Sequence, residues 1–339
     1  MFVIEYTLTM KILKIITGFF LCFCITFTVF YGRKKIGEKV IDNLASAYQG
    51  VVSIWHVDTF EGGVGSRRVF LLNSASNFEK EHKGTLFMVS NFTVDGAIQS
   101  IKEGKWPDVI SYGVALQPKG VVELSLDNSS IYGCIGENNY AITWCRGEYV
   151  LLVKDGINIP EDKVLDEVIV SQGEFTQPLT AFTLSGYRAN KVTQYQPADA
   201  FSHFFNSKCK YMVGTQRDVV RLSYKNTNAN VVVLDGYNDL YQYASITSKD
   251  SNKIPICIEF LNYLTSNTVQ QRIKNIKMFS TYVVVNYDEE VWLRMQSATF
   301  NKGVSAFIDR ETIKEMQRLS VKSALGDENA KIKIKNITF

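Results

Sequence analysis

Between Val51 and Gly113 the sequence changes its hydrophobic period four times. "VVSIWHV", "TLFMVSNF" and "PDVISYG" are short, β-branched and bounded by turn residues, as strands are. Between the first two, Leu71, Ala75 and Phe78 fall at i, i+4 and i+7, one face of a helix ending near Lys83. Val94 to Glu103 is a second helix, stopped by Gly104. Strand, helix, strand, helix, strand implies a parallel sheet, because parallel neighbours need a crossover. Ligands of such sheets sit beyond the carboxyl ends of the strands. That places the Asp58–Gly65 loop and Tyr112 at the edge of one cleft.

The first of these turns, "DTFEGGVGSRR", has the look of a phosphate cradle and fails its chemistry. A phosphate loop places Lys and then Ser or Thr after its last glycine, to meet phosphate and magnesium. Here Gly62, Gly63 and Gly65 are followed by Ser66, Arg67 and Arg68. A dinucleotide fingerprint begins at Gly63-Val64-Gly65, but Arg68 stands where its final glycine belongs. What remains is a tight turn onto a helix N-terminus.

The chain of 339 residues is long enough for two domains. With 37 Lys and Arg against 34 Asp and Glu, its net charge of +3 lacks the single-sign field of a nucleic-acid protein. At the N-terminus, Lys11 and Lys14 precede an apolar run from Ile15 to Tyr31, close to the length of a short membrane span. No small-x-small cleavage site follows, and Phe23 directly before Cys24 is a poor lipidation site. These features predict an uncleaved anchor with the body outside the cell. Arg33, Lys34 and Lys35 after the span argue for the opposite orientation. Six cysteines show no CxxC spacing, so zinc and thioredoxin-type chemistry have no support. Cys134 and Cys145 form a disulfide in an exported body, or Cys134, Cys145, Cys209 and Cys257 are free thiols; the sequence leaves both open. His56, His82 and His203 lack metal spacing.

Further along, "YAITWCRGEYVLLVKDG" is extended, and residues 170–200 are polar and loop-rich. "AFSHFFNSKCKYMVGTQRDVV" runs from helix to strand to Gly214, and "PICIEFLNYLTSNTVQQRI" is strongly helical. "MFSTYVVVNY" reads as extended, Asp288 to Ala324 as helical, and "GDENAKIKIKNI" as a tail.

From Val51 onward, the order of these segments resembles the extracellular solute-binding proteins of ABC importers, the maltose-binding-protein-like group. The matching stretches are "VVSIWHVDTFEGG", "GKWPDVISYG", "YAITWCRGEYVLLVKD", "AFSHFFNSKCKYMVGTQRD" and "IEFLNYLTSNTVQQRI". Ser207-Lys208 replaces the family's Gly-Lys turn. The resemblance implies a two-lobed α/β fold of the periplasmic-binding-protein type II, with ligand between lobes that close about a hinge. It divides the chain into an anchor (1–36), lobe 1 (37–146), lobe 2 (147–243), a return to lobe 1 (244–287) and C-terminal helices on lobe 2 (288–339). The partners it implies are a small solute, most simply a sugar, a permease, and the membrane; it implies no cofactor, metal or catalysis. A ligand-sensing receptor that signals through a membrane partner is the alternative.

The same comparison yields site candidates. Asp58 and Glu61 lie in the first cleft loop, where carboxylates accept sugar hydroxyls, or else they are solvated loop charges. Tyr112 follows the third strand, where a ring stacks on a sugar face or packs on its own lobe. Trp144 and Arg146 flank Cys145 at the first crossover; the resemblance puts Arg146 where the family often has a ligand-facing polar residue, and the Trp is a ligand platform or a structural hinge residue. Gln216 and Arg217 follow Gly214, and Arg217 with Arg146 offers a fork for an anion, or else pairs with Asp218 or Asp235. Tyr187 and Tyr237 lie in loops able to close on a ligand. Trp55, Trp106 and Trp292 read as packing residues, and no G-x-S-x-G or H-E-x-x-H signature is present.

Overall fold

The computed structural model describes residues 48–124, 131–225, 228–298 and 302–338. The expected anchor, residues 1–36, lies outside the described residues. Among the described residues no helix is long and apolar enough to cross a membrane.

β1 (Gly50–Val57), α1 (Arg67–Glu81), β2 (Thr85–Phe92), α2 (Val94–Lys102) and β3 (Val109–Tyr112) appear in the predicted order. The helix starts are set locally. Ser66 accepts a hydrogen bond from the Val69 amide at α1, and Thr93 from the Gly96 amide at α2. β1 runs parallel to β2 on one side and to β3 on the other.

The chain continues through a two-strand hairpin, β4 (Cys134–Ile135) and β5 (Asn138–Asn139), to β6 (Ile142–Arg146) and β7 (Tyr149–Lys154). Next come β8 (Val164–Leu165), β9 (Val168–Ser171), α3 (Pro178–Leu184), β10 (Arg188–Ala189), β11 (Val192–Tyr195) and α4 (Pro197–Asn206). β12 (Tyr211–Thr215), α5 (Gln216–Lys225), β13 (Ala229–Val233) and β14 (Tyr241–Ile246) follow. The last third holds α6 (Ile254–Thr265), α7 (Asn267–Gln270), α8 (Glu290–Gln296), α9 (Arg310–Ala324) and α10 (Glu328–Ile337).

These strands build two five-stranded sheets, ordered β2-β1-β3-β14-β6 and β11-β9-β12-β7-β13. Each is parallel except where a strand returns from the other half of the chain. β14 is antiparallel to β3 and β6, and β7 is antiparallel to β12 and β13. All of β3, β6, β12 and β14 is buried, because helices or the opposite lobe cover both faces of these strands. The result is the two-lobed α/β architecture expected from the sequence.

The chain passes between sheets at Gly147-Glu148, again between β13 and β14, and a third time after Ile276. Arg146 and Phe279 exchange both backbone hydrogen bonds, 2.8 and 2.9 Å, so the first and third passages are laced together. Gly147 has no room for a side chain: a Cβ there would stand 3.0 Å from the Gln216 amide and from Leu240.

Three readings change. Within residues 288–324 lie two helices, α8 and α9, and the described residues 302–309 before α9 are non-helical, with Val304 and Ala306 fully buried. The supposed tail is α10, capped by Asp327, whose carboxylate accepts from the Ala330 amide. "MFSTYVVVNY" joins the sheets only through the single bridge at Phe279.

Candidate functional site

A cavity of about 290 Å³ lies between the two sheets at the carboxyl ends of their strands. From the first lobe it is lined by Asp58, Phe60 and Glu61; from the second by Ser171, Gly173, Thr176, Gln196, Pro197 and Thr215. The volume is at the small end for ligand pockets.

Asp58 follows the last residue of β1 and is held from behind. Its Oδ1 accepts from His56 Nε2 at 3.0 Å and from Arg67 Nη2 at 2.8 Å. The His56 tautomer follows from its other neighbour. Ser111 Oγ accepts from Trp144 Nε1 at 3.0 Å and from Gln242 Nε2 at 3.1 Å, so its own proton goes to His56 Nδ1, 3.2 Å away. His56 therefore carries its hydrogen on Nε2 and donates it to Asp58. Burial lowers the His56 pKa and keeps the ring neutral, against the pull of Asp58. Burial alone would raise the Asp58 carboxyl; the His56 hydrogen bond and the Arg67 guanidinium outweigh it and hold the acid well below its ordinary range. Arg67 is itself fixed, with its guanidinium 3.9 Å from the Phe60 ring centre and a hydrogen bond to the Phe60 carbonyl.

Ser111, His56 and Asp58 follow the order of a hydrolase triad, but the burial is reversed. Ser111 is 1% exposed and already accepts two N–H bonds, whereas the Asp58 side chain is 47% exposed. The group this relay presents to the cavity is a fixed, ionised carboxylate.

Glu61 is paired across the cleft with Arg221 at 2.9 Å. Arg221 also binds Asp218 at 2.6 Å, and Asp218 accepts from the Thr215 amide at 3.0 Å. Burial pushes the Asp218 carboxyl up to about 6 despite that guanidinium. On the second lobe, Thr176 Oγ1 accepts from the Gly173 amide and Thr215 Oγ1 from the Arg217 amide. Ser171, at the end of β9, is 4% exposed and lines the cavity.

The glycine-rich turn is tied to the third passage between the sheets and to the second lobe. Gly63 donates to Met278 Sδ at 3.2 Å, Val64 donates to the Ile276 carbonyl at 2.8 Å, and Arg217 Nη1 donates to the Gly63 carbonyl at 2.5 Å. A Cβ on Gly63 would stand 2.1 Å from the Lys277 carbonyl oxygen. The Val64 side chain packs against the apolar cluster of the second lobe.

Of the nine candidates, Asp58 and Glu61 come together on the cavity and seven do not line it. Tyr112 is 0% exposed; its hydroxyl contacts Ser245 Oγ at 3.1 Å inside the sheet core. Trp144 is also 0% exposed and stacks on Phe70, with ring centres 5.6 Å apart. Arg146 pairs with Glu148 at 2.6 Å and donates to the Gln296 carbonyl at 2.7 Å, so it braces the crossover and offers no anion fork with Arg217. Gln216 is 0% exposed, accepts from the Glu148 amide at 2.8 Å and donates to Met278. Tyr187 stacks on Phe182 within the second lobe, and Tyr237 is wholly buried. Among the described residues Cys134 and Cys145 form no disulfide with each other, Cys145, Cys209 and Cys257 are free thiols, and no three His, Cys, Asp or Glu side chains gather as a metal set.

Apart from Thr215, the lobe-two half of the cavity escaped the sequence reading because it lies in the polar 170–200 region. Its signal was there: "EVIVSQG" is a β-branched strand ending in small polar residues, as a cleft-lining strand end would.

No family model matches the chain, and no curated protein matches it by sequence. Solved structures do match by fold. The GacH receptor of Streptomyces glaucescens, solved alone and with acarbose, is 13% identical with a TM-score of 0.59, over 86% of this chain and 98% of that one. Iron-bound HitA from Pseudomonas aeruginosa is 12% identical with a TM-score of 0.55, over 80% and 99%. A protein described as a two-component system protein that mediates signal transduction is 14% identical with a TM-score of 0.52, over 79% and 100%. At these identities the likeness shows the fold alone: this chain has the two-lobed architecture of the periplasmic solute-binding proteins.

Proposed function

We propose that this chain is a solute receptor. It captures a small, hydroxyl-rich solute, a sugar or oligosaccharide, between its lobes by hinge closure and hands it to the permease of an ABC importer. The N-terminal segment holds it to the membrane with the body outside. Asp58, Glu61 and Ser171 are the polar contacts; no catalysis and no cofactor enter.

The observation that carries this reading is the Asp58 carboxylate. Its Oδ1 is occupied by His56 and Arg67 at the mouth of an interlobe cavity, which leaves Oδ2 to accept from a ligand. A carboxylate fixed in advance loses little rotamer entropy on binding, and charge-assisted hydrogen bonds from hydroxyls are strong ones. The cavity wall carries carboxylates and hydroxyls and no Lys or Arg, which suits a donor-rich neutral ligand better than an anion. The fold neighbour solved with acarbose supports the same class.

A thermal-shift screen of the full chain against maltose, maltotriose, acarbose, amino acids and organic anions tests it. A saturable rise in melting temperature with a sugar, lost in Asp58→Asn, is the expected result. A shift confined to amino acids or anions would refute the sugar assignment. The signalling alternative has one supporting observation, the fold neighbour from a two-component system. A histidine-kinase gene beside this one would favour it, and permease genes would favour import.

A further inference from the structure

Away from the crossovers, two ion pairs among the described residues join the lobes in the same sense. The second lobe supplies guanidinium groups and the first supplies acceptors. Arg221 on α5 meets Glu61 at 2.9 Å, and Arg217 on the same helix meets the Gly63 carbonyl. From α9, which packs on α3, Arg310 meets Asp95 at the start of α2 at 2.8 Å. Two of the three arginines are braced on their own lobe: Arg221 by Asp218 at 2.6 Å, Arg310 by the Phe175 ring at 5.1 Å. These contacts join the two lobes directly, two through side-chain ion pairs and one through a backbone carbonyl. We propose that an arginine clamp, Arg221–Glu61 and Arg310–Asp95 with Arg217 between them, holds the empty receptor shut. A solute must then compete with Arg221 for Glu61, since Glu61 both lines the cavity and carries the clamp. The inference rests on the hinge-closure reading above.

The physical alternative is that closure is apolar, through Val64 seated on the second-lobe cluster. Salt separates the two. Screening at about 1 M NaCl shortens the Debye length to about 3 Å and weakens exposed ion pairs, while apolar burial does not weaken. The Asp95 side chain is 78% exposed and that of Glu61 39%, so both pairs are within reach of salt.

The experiment is hydroxyl-radical footprinting of the full chain in nanodiscs, read by mass spectrometry at Phe60 and Val64, with buried Phe182 as the folding control. Expected is low oxidation of Phe60 and Val64 in the wild type at low salt, rising several-fold at about 1 M NaCl. In Glu61→Gln with Asp95→Asn it should be high at both salts and unchanged at Phe182. A wild type already oxidised at low salt overturns the clamp and leaves the hinge standing. Opening in the variant without a salt response in the wild type overturns it too. If neither salt nor the double substitution exposes Phe60 and Val64, the lobes do not part, and hinge capture falls with the clamp.

Discussion

Asp239 offers a quantitative test of how the crossovers are built. It lies between β13 and β14, 1% exposed, and accepts a hydrogen bond from the Tyr149 hydroxyl at 2.7 Å. Tyr149 in turn accepts from the Gln177 amide at 2.8 Å. The Tyr237 hydroxyl lies near the same carboxylate, and Asp239 Oδ2 takes no hydrogen-bond partner among the described residues. Burial without a cation pushes this carboxyl up to about 7, from 3.8. A carboxyl raised on folding holds its proton better in the native state. Native protein therefore binds more protons than unfolded chain between those two values, and stability falls as pH rises through that window. At about 1.4 kcal/mol per pH unit, the Asp239 contribution is about 4 kcal/mol lost between pH 4 and pH 8. Asp239→Asn keeps the shape and the Tyr149 bond and removes the titration. Urea-unfolding free energies of wild type and variant should agree near pH 4 and separate by about 4 kcal/mol near pH 8, with the variant the more stable. Two curves that stay parallel across this range would refute the reasoning, because Asp239 would then titrate alike in both states.

Other consequences are simpler. Trp144→Ala empties a fully buried site against Phe70 and should cost about 3–5 kcal/mol of stability, seen as a lower melting temperature. A binding defect with unchanged stability would return Trp144 to the ligand. Gly63→Ala drives a Cβ into the Lys277 and Ile276 carbonyls and should cost about 1–3 kcal/mol, measurable by urea unfolding. His56→Phe removes the donor to Asp58, so the Asp58 pKa, followed by carboxyl NMR, should rise toward its ordinary value. Burial pushes the Cys145 thiol up to about 12, so native protein should leave Cys145 unalkylated at pH 8 while urea exposes it.

The sequence made the frame of the molecule legible where period and punctuation agree. β1, α1, β2, α2 and β3 were readable because β-branched runs bounded by turn residues and a 3.6-residue stripe point the same way. The segment read as a tail is a helix, decided by the Asp327 cap and by packing of Ile334 on α9. For the site, position along the chain was a better guide than side-chain direction. Asp58 and Glu61 sit in a loop, where most directions lead to the cavity. Tyr112 and Trp144 sit in strands buried on both faces, where a ring has nowhere to go but inward. Gln216 and Arg146 have ligand-like chemistry, but they spend it on the backbone of the crossovers.

The place of β14 bears on the order in which the chain can fold as it is made. β14 lies between β3 and β6, although some ninety-five residues of the second lobe intervene between β6 and its own arrival. A nascent chain that has emerged only as far as β13 holds both flanking strands of a gap and nothing to fill it. It exposes the unpaired edges of β3 and β6, both entirely buried in the finished protein. The second sheet, by contrast, is complete when Val233 emerges. The sheet that starts first in the sequence is therefore the one that finishes last, and its open edge is the surface a growing chain must keep from pairing with another.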